Sequence, residues 1–224
     1  MNRTCIAYIA KALGRTACAV CLLALLAPAA RAGCLAGDCA NGQGEYLWGP
    51  GNLYSGDFVD GQFQGQGVLR YSNGDVYEGW FRNGLKEGLG EYTHIGGDKY
   101  FGEFANDRTN GFGMYMFQDG RVYVGMFADG AMHGPGTVFF GPLDVYAGEM
   151  DQGRMHGQGT LVMESGAVYS GEFSNSTMHG EGTYVYKNGA RFTGAFENDK
   201  PMTGSYYPGK KAKPIEYENG KPLL

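Results

Sequence analysis

The chain has 224 residues, of which Gly 40, Tyr 16 and Phe 13 are far outside average usage, so glycine is being used periodically rather than as scattered loop punctuation. Its formal net charge of −5 repels phosphate polymers and anionic lipid headgroups, which argues against nucleic acid as a partner and against simple electrostatic attachment to a membrane.

Residues 1–32 read as a signal peptide. They hold no acid, begin with Arg3, Lys11 and Arg15, and carry an apolar run from Ala17 to Ala27 that is too short to span a bilayer. Ala30 and Ala32 supply small residues where a leader peptidase reads, placing cleavage before Gly33. An exported chain is therefore expected, in the periplasm or cell envelope or secreted. Without the leader, Lys plus Arg falls from 18 to 14 against 23 acids, a net charge of −9.

Residues 33–41 form a short segment with the two cysteines that remain after cleavage, Cys34 and Cys39. An even number in an oxidising compartment suggests a local disulfide. Cys34 as a lipidated N-terminus is the alternative, although Arg31 stands where a lipoprotein leader wants leucine.

From Gly42 to Gly204 the chain repeats. Tyr54, Tyr77, Tyr100, Tyr123, Tyr146, Tyr169 and Phe192 are spaced 23 apart, each followed two residues later by glycine and two further on by Phe or Met150. A glycine pair closes each unit, as in Gly88/Gly90 and Gly157/Gly159. Alternation of period two predicts strands. Asp60-Gly61, Asn83-Gly84 and Asp129-Gly130 suit two-residue hairpins, and Ser72-Asn73-Gly74 or Lys187-Asn188-Gly189 suit three-residue loops. Two strands per unit follow, about fourteen in all. Across the tight turn Phe81 is expected to face Lys86, Gly79 to face Gly88 and Tyr77 to face Gly90, with each large ring lying over neighbouring glycines.

This pattern of Tyr-x-Gly-x-Phe, a turn glycine and Gly-x-Gly, running from about Gly42 to Gly194, resembles the MORN (membrane occupation and recognition nexus) repeat. The resemblance implies an all-β fold, an elongated single-layer antiparallel meander of about seven 23-residue hairpins. It also implies use in scaffolding, dimerisation or membrane association. Residues 205–224 lose the pattern and are expected to form a cap.

His133, His156 and His179 recur at one place in three units, two strands or about 9.6 Å apart, too far for neighbouring rings to share a metal without leaning together. The resemblance makes His-Gly here a common feature of the repeat. Asp57, Glu103, Glu149 and Glu172 form an acidic column, expected to be solubilising charges on an open face. No nucleophile elbow or phosphate-binding loop is present, and the Gly-x-Gly pairs precede strands. No catalytic residue, metal or cofactor is expected.

Outward positions distinguish the units. Trp80, Leu89, Phe101, Phe112, Met114, Met116, Val124, Met126, Pro135 and Phe139 fall in the second to fourth, whereas Ser55, Gln66, Gln158, Thr160, Ser170 and Thr183 represent the others. An apolar patch of this kind marks a contact surface. The expectation is a non-enzymatic scaffold that binds a protein partner or a second copy of itself, with peripheral phospholipid binding as the alternative.

Overall fold

The computed structural model of the protein describes residues 32–209 and 212–223, so the expected leader lies outside it up to Arg31, as do Lys210 and Lys211. The described residues form eighteen strands and no helix. Two strands precede the repeats, β1 (Gly33–Gly37) and β2 (Gln43–Trp48). The units then contribute β3 (Asn52–Val59), β4 (Gln62–Arg70), β5 (Val76–Arg82), β6 (Leu85–Thr93), β7 (Lys99–Ala105), β8 (Arg108–Met116), β9 (Val122–Ala128) and β10 (Ala131–Phe139). They continue with β11 (Val145–Asp151), β12 (Arg154–Val162), β13 (Val168–Ser174), β14 (Thr177–Val185), β15 (Arg191–Glu197) and β16 (Lys200–Tyr207). A last hairpin follows, β17 (Ile215–Glu218) and β18 (Lys221–Pro222).

Every strand pairs antiparallel with the next, giving one open meander. The fourteen strands read from the period are β3–β16, and the sheet runs past them at both ends. At the start, Cys34 and Cys39 are disulfide-bonded with Cα atoms 5.9 Å apart, closing the loop between β1 and β2. At the other end Tyr217 packs edge-on against Phe192 at 5.6 Å, so the tail continues the aromatic layer. Pro222 lies on the terminal strand and offers no amide there, which blunts that edge against further pairing.

The tight turns have the expected chemistry. Asp60, Asn83, Asp129 and Gln152 take φ between 46° and 51° ahead of a positive-φ glycine, as two-residue turns of this hand require.

The register inside each hairpin departs from the expectation. Phe81 does face Lys86, but Gly79 faces Gly90 and Tyr77 faces Tyr92. Between those pairs β5 advances two residues and β6 four, so β6 carries a bulge. Its cause is the first glycine of the pair, Gly88, which adopts φ 69°. Gly65, Gly111, Gly134, Gly157 and Gly180 do the same. Because the bulge holds two extra residues, the faces are not exchanged.

The second glycine of each pair instead joins an in-register row, seen where Gly148 pairs with Gly159 and Gly159 with Gly171. Tyrosine rings lie flat on this row. A Cβ built on Gly159 would stand 2.6 Å from the Tyr146 hydroxyl. This is how a single layer buries a core: Tyr54, Tyr77, Tyr123, Tyr146 and Tyr169 are 0 % exposed. Each ring also meets phenylalanines edge-on, as Tyr77 meets Phe81 of its own unit at 5.1 Å and Phe104 of the next at 4.9 Å.

The tyrosine hydroxyls are satisfied at the bulge. Tyr77 donates to the Trp80 carbonyl at 2.9 Å, and Tyr146 to that of Glu149 at 2.7 Å. Burial is the main cause that pushes Tyr54, Tyr123, Tyr146 and Tyr169 up to about 12 from 10.0. In the unfolded chain these phenols ionise near pH 10, while the folded chain holds their protons. Stability is therefore complete below about pH 10 and is lost as pH rises towards about 12. An alkaline titration should show phenolate absorbance and loss of the β circular-dichroism signal rising together above pH 10. Free titration of all the tyrosines near pH 10 in a folded chain would contradict this.

Candidate functional site

The face opposite the tyrosines is open, and its side chains form three rows running across the strands. Beside the glycine row on its turn side stand Trp80, Leu89, Glu103, Phe112, Met126, Pro135 and Glu149. On its other side stand Glu78, Glu91, Phe101, Met114, Val124, Thr137 and Ala147. The third row holds Val76, Thr93, Lys99, Met116, Val122, Phe139, Val145, Val162, Val168 and Val185.

All nine residues assigned to the apolar patch, and Pro135, thus share one face. Leu89 (64 %), Phe112 (55 %) and Trp80 (49 %) are the most exposed, Met116, Met126 and Phe139 are exposed, and Phe101, Met114 and Val124 are half-buried. The rows divide the patch. Over β7–β10, Phe101, Phe112, Met114, Met116, Val122, Val124, Met126, Pro135 and Phe139 adjoin with only Thr137 among them. Glu91, Glu103 and Lys99 border this area on one side and Glu149 on the other. Trp80 and Leu89 sit beyond the glutamates, so the continuous area is narrower there than expected.

Towards the C-terminus the middle row becomes polar and satisfies itself. Thr160 and Ser170 hydroxyls lie 3.0 Å apart, and those of Thr183 and Thr193 3.1 Å apart. The valines of the third row continue the apolar character past the patch, with Val162 and Val185 exposed. Sequence reading overlooked them, although a Val immediately before Tyr123, Tyr146 and Tyr169 was the available signal.

The acidic column is more than solubilising charge. Glu103, Glu149, Glu172 and Asp57 fold their carboxylates over the bulge glycines, where a Cβ on Gly111 would lie 2.6 Å from Glu103 Oε2 and one on Gly65 2.6 Å from Asp57 Oδ2. Glu103 Oε1 also accepts the Phe112 N–H at 3.3 Å. In the second and fourth units Trp80 and Met126 take this place, with Cβ 3.7 and 3.8 Å from a Cβ built on Gly88 or Gly134. Each acid therefore covers the bulge glycine of its own hairpin.

His133, His156 and His179 are exposed on β10, β12 and β14, and His133 Nδ1 lies 3.3 Å from Asp151 Oδ1. Among the described residues no three His, Cys, Asp or Glu side chains come together as a metal site would require. His94 Nε2 lies 3.7 Å from Asp75, the buried acid of the first three-residue loop. Burial pushes the Asp75 carboxyl up, but hydrogen bonds from Tyr92, Ile95 and Asn73, with His94 nearby, bring it below 3.8. The bonds from Tyr92 and Ile95 tie this loop to the end of β6 and the next loop, while that from Asn73 lies within it.

One site breaks the repeat on the aromatic face. Lys86 Nζ lies 5.4–6.0 Å from the ring centroids of Tyr71, Tyr77, Tyr92 and Phe104, and its side chain is 13 % exposed. Burial lowers its pKa, with Asp107 acting in the opposite direction.

Glycine-seated rings, bulged hairpins and an open outer face define a single-layer β-hairpin repeat protein. The MORN repeat profile matches residues 54–76, 77–99, 100–120, 123–141, 146–168 and 169–191, more than half of the chain. The chain belongs to the MORN repeat family. No curated protein matches it in sequence.

Among solved structures it is similar to the TCP domain of SAS-4 from Drosophila melanogaster, determined in complex with a proline-rich motif of Ana2. That match is 14 % identical, covers 82 % of this chain and 96 % of that one, and has a TM-score of 0.45. The wild-type TCP10 domain of Danio rerio CPAP, in complex with a peptide of STIL, is also 14 % identical, with 80 % and 95 % covered and a TM-score of 0.26.

Proposed function

We propose that this MORN-repeat chain is a non-catalytic, exported scaffold whose open face over β7–β10 binds a protein partner. The supporting observation is the apolar area from Phe101 to Phe139, interrupted only by Thr137, with a charged rim of Glu91, Lys99, Glu103 and Glu149. An apolar centre with a polar border is the anatomy of a protein interface. The basic, acid-free start of the chain supports export.

Copurification of the tagged chain from its own host, combined with liposome flotation at two salt concentrations, tests the reading. A partner retained through washing, with the chain left unfloated, is the expected result. Flotation without a protein partner would transfer the apolar area to a lipid surface. A second copy as the partner would appear as a concentration-dependent dimer in sedimentation.

A further inference from the structure

The residue that follows each tight turn onto the aromatic face is Phe63, Lys86, Thr109, Met132, Met155 or Met178 in successive units. Lys86 is the charged exception. Its ammonium has three donors. One reaches the Tyr71 hydroxyl at 3.3 Å, the sole hydrogen bond that Nζ makes among the described residues. The Asp107 carboxylate is 4.0 Å away, and its Oδ1 already accepts the Lys86 backbone N–H at 2.9 Å. The surrounding rings stabilise the cation but accept no conventional hydrogen bond. A largely buried charge with spare donors is a place for an anion.

Lys86 and Asp107 stand in the walls of two cavities. The larger, about 500 Å³, has Trp48, Phe63 and Phe81 in its wall, and the smaller, about 300 Å³, has Tyr92, Tyr100 and Tyr115. Volumes of this size, mostly apolar with a few polar groups, suit small ligands. We propose that Lys86 and these cavities form a binding site for a small apolar carboxylic acid. Its hydrocarbon body fills the larger cavity, and its carboxylate accepts from Lys86 Nζ.

The local charges select a monoanion, since the Lys86 ammonium offers the attraction while Asp107, and Asp98 in the wall of the smaller cavity, repel a second negative charge. The size selects a small molecule over an extended acidic peptide. Beyond Thr109 the row turns to methionine and supplies no further cation, and Arg121, which lies over the Phe117 ring, is already paired with Asp119 at 2.8 Å. This site lies on the face opposite the proposed partner surface, so either can fail alone.

The test uses 3-phenylpropionate and its neutral amide, titrated into the whole protein and into Lys86→Met and followed by calorimetry and by the Trp48 indole resonance. Methionine occupies the same place in three other units, so this variant is expected to fold. The acid should bind the wild-type protein about tenfold or more tightly than it binds Lys86→Met, as loss of a charge-assisted hydrogen bond implies. The amide should bind both proteins equally and weakly. Equal binding of the acid to both proteins, equal binding of acid and amide to the wild type, or binding of neither would overturn the site. Binding of a capped Phe-Glu peptide in place of the acid would overturn the small-molecule assignment.

Discussion

Gly159→Ala is expected to destabilise the protein by about 3 kcal/mol, at the upper end of the range for overpacking a well-filled core. Its Cβ would stand 2.6 Å from the hydroxyl oxygen and 2.8 Å from Cζ of Tyr146. Tyr146 cannot give way. It is 0 % exposed, meets Phe173 edge-on at 5.0 Å and donates to the Glu149 carbonyl at 2.7 Å. Moving the backbone instead would disturb Gly148 and Gly171, the neighbours of Gly159 in the row.

Two comparisons isolate the cause in urea unfolding. Gly141→Ala, where an added Cβ meets nothing within 4 Å and φ is not positive, should stay within about 0.5 kcal/mol of wild type. In a Tyr146→Ala background the ring is gone, so adding Gly159→Ala should cost little more than Tyr146→Ala alone. That non-additivity is the signature of direct contact. A cost for Gly159→Ala that is unchanged in this background would refute the ring-on-glycine account.

The fold was legible in the sequence because one physical demand is repeated. A ring that must lie on the sheet needs glycine beneath it, and a strand that must reverse needs a positive-φ turn, so Tyr146 and Gly148, or Asn83 and Gly84, announce themselves every 23 residues. The two glycines of Gly157-Gln158-Gly159 look alike as letters. In the fold they differ: Gly159 seats a ring while Gly157 turns a bulge at φ 58°. Reading both as strand positions displaced the pairing by two residues. The error left every side chain on its proper face, and for that reason Trp80, Phe101, Phe112 and the rest of the patch could be placed together from alternation alone. The roles of Glu149 and Glu103 were not legible, because covering a bulge glycine depends on the bulge. Lys86 was named only as a partner for Phe81, since its surroundings come from Tyr71, Tyr92 and Phe104, which lie on three different strands or loops.

Changing Phe101 and Phe112 together to serine is expected to abolish association while leaving the fold intact. Phe112 is 55 % exposed and Phe101 half-buried, and neither belongs to the layer of rings on the opposite face. Their loss should cost at most about 1 kcal/mol of stability each, the span of strand preferences between such residues. At an interface the same rings would be the large aromatic anchors beside the acidic border: Phe101 lies between Glu91 and Met114, and Phe112 pairs with Met126. Aromatic anchors in such positions contribute about 2 kcal/mol or more each, so partner affinity should fall by at least about a hundredfold. Thr160→Ala with Ser170→Ala, on the polar half of the same face, should leave binding unchanged because their hydroxyls are occupied with each other. Sedimentation and capture from the native host would show the difference. An unaltered assembly state and an unaltered set of partners in the phenylalanine variant would remove this face as the site of contact.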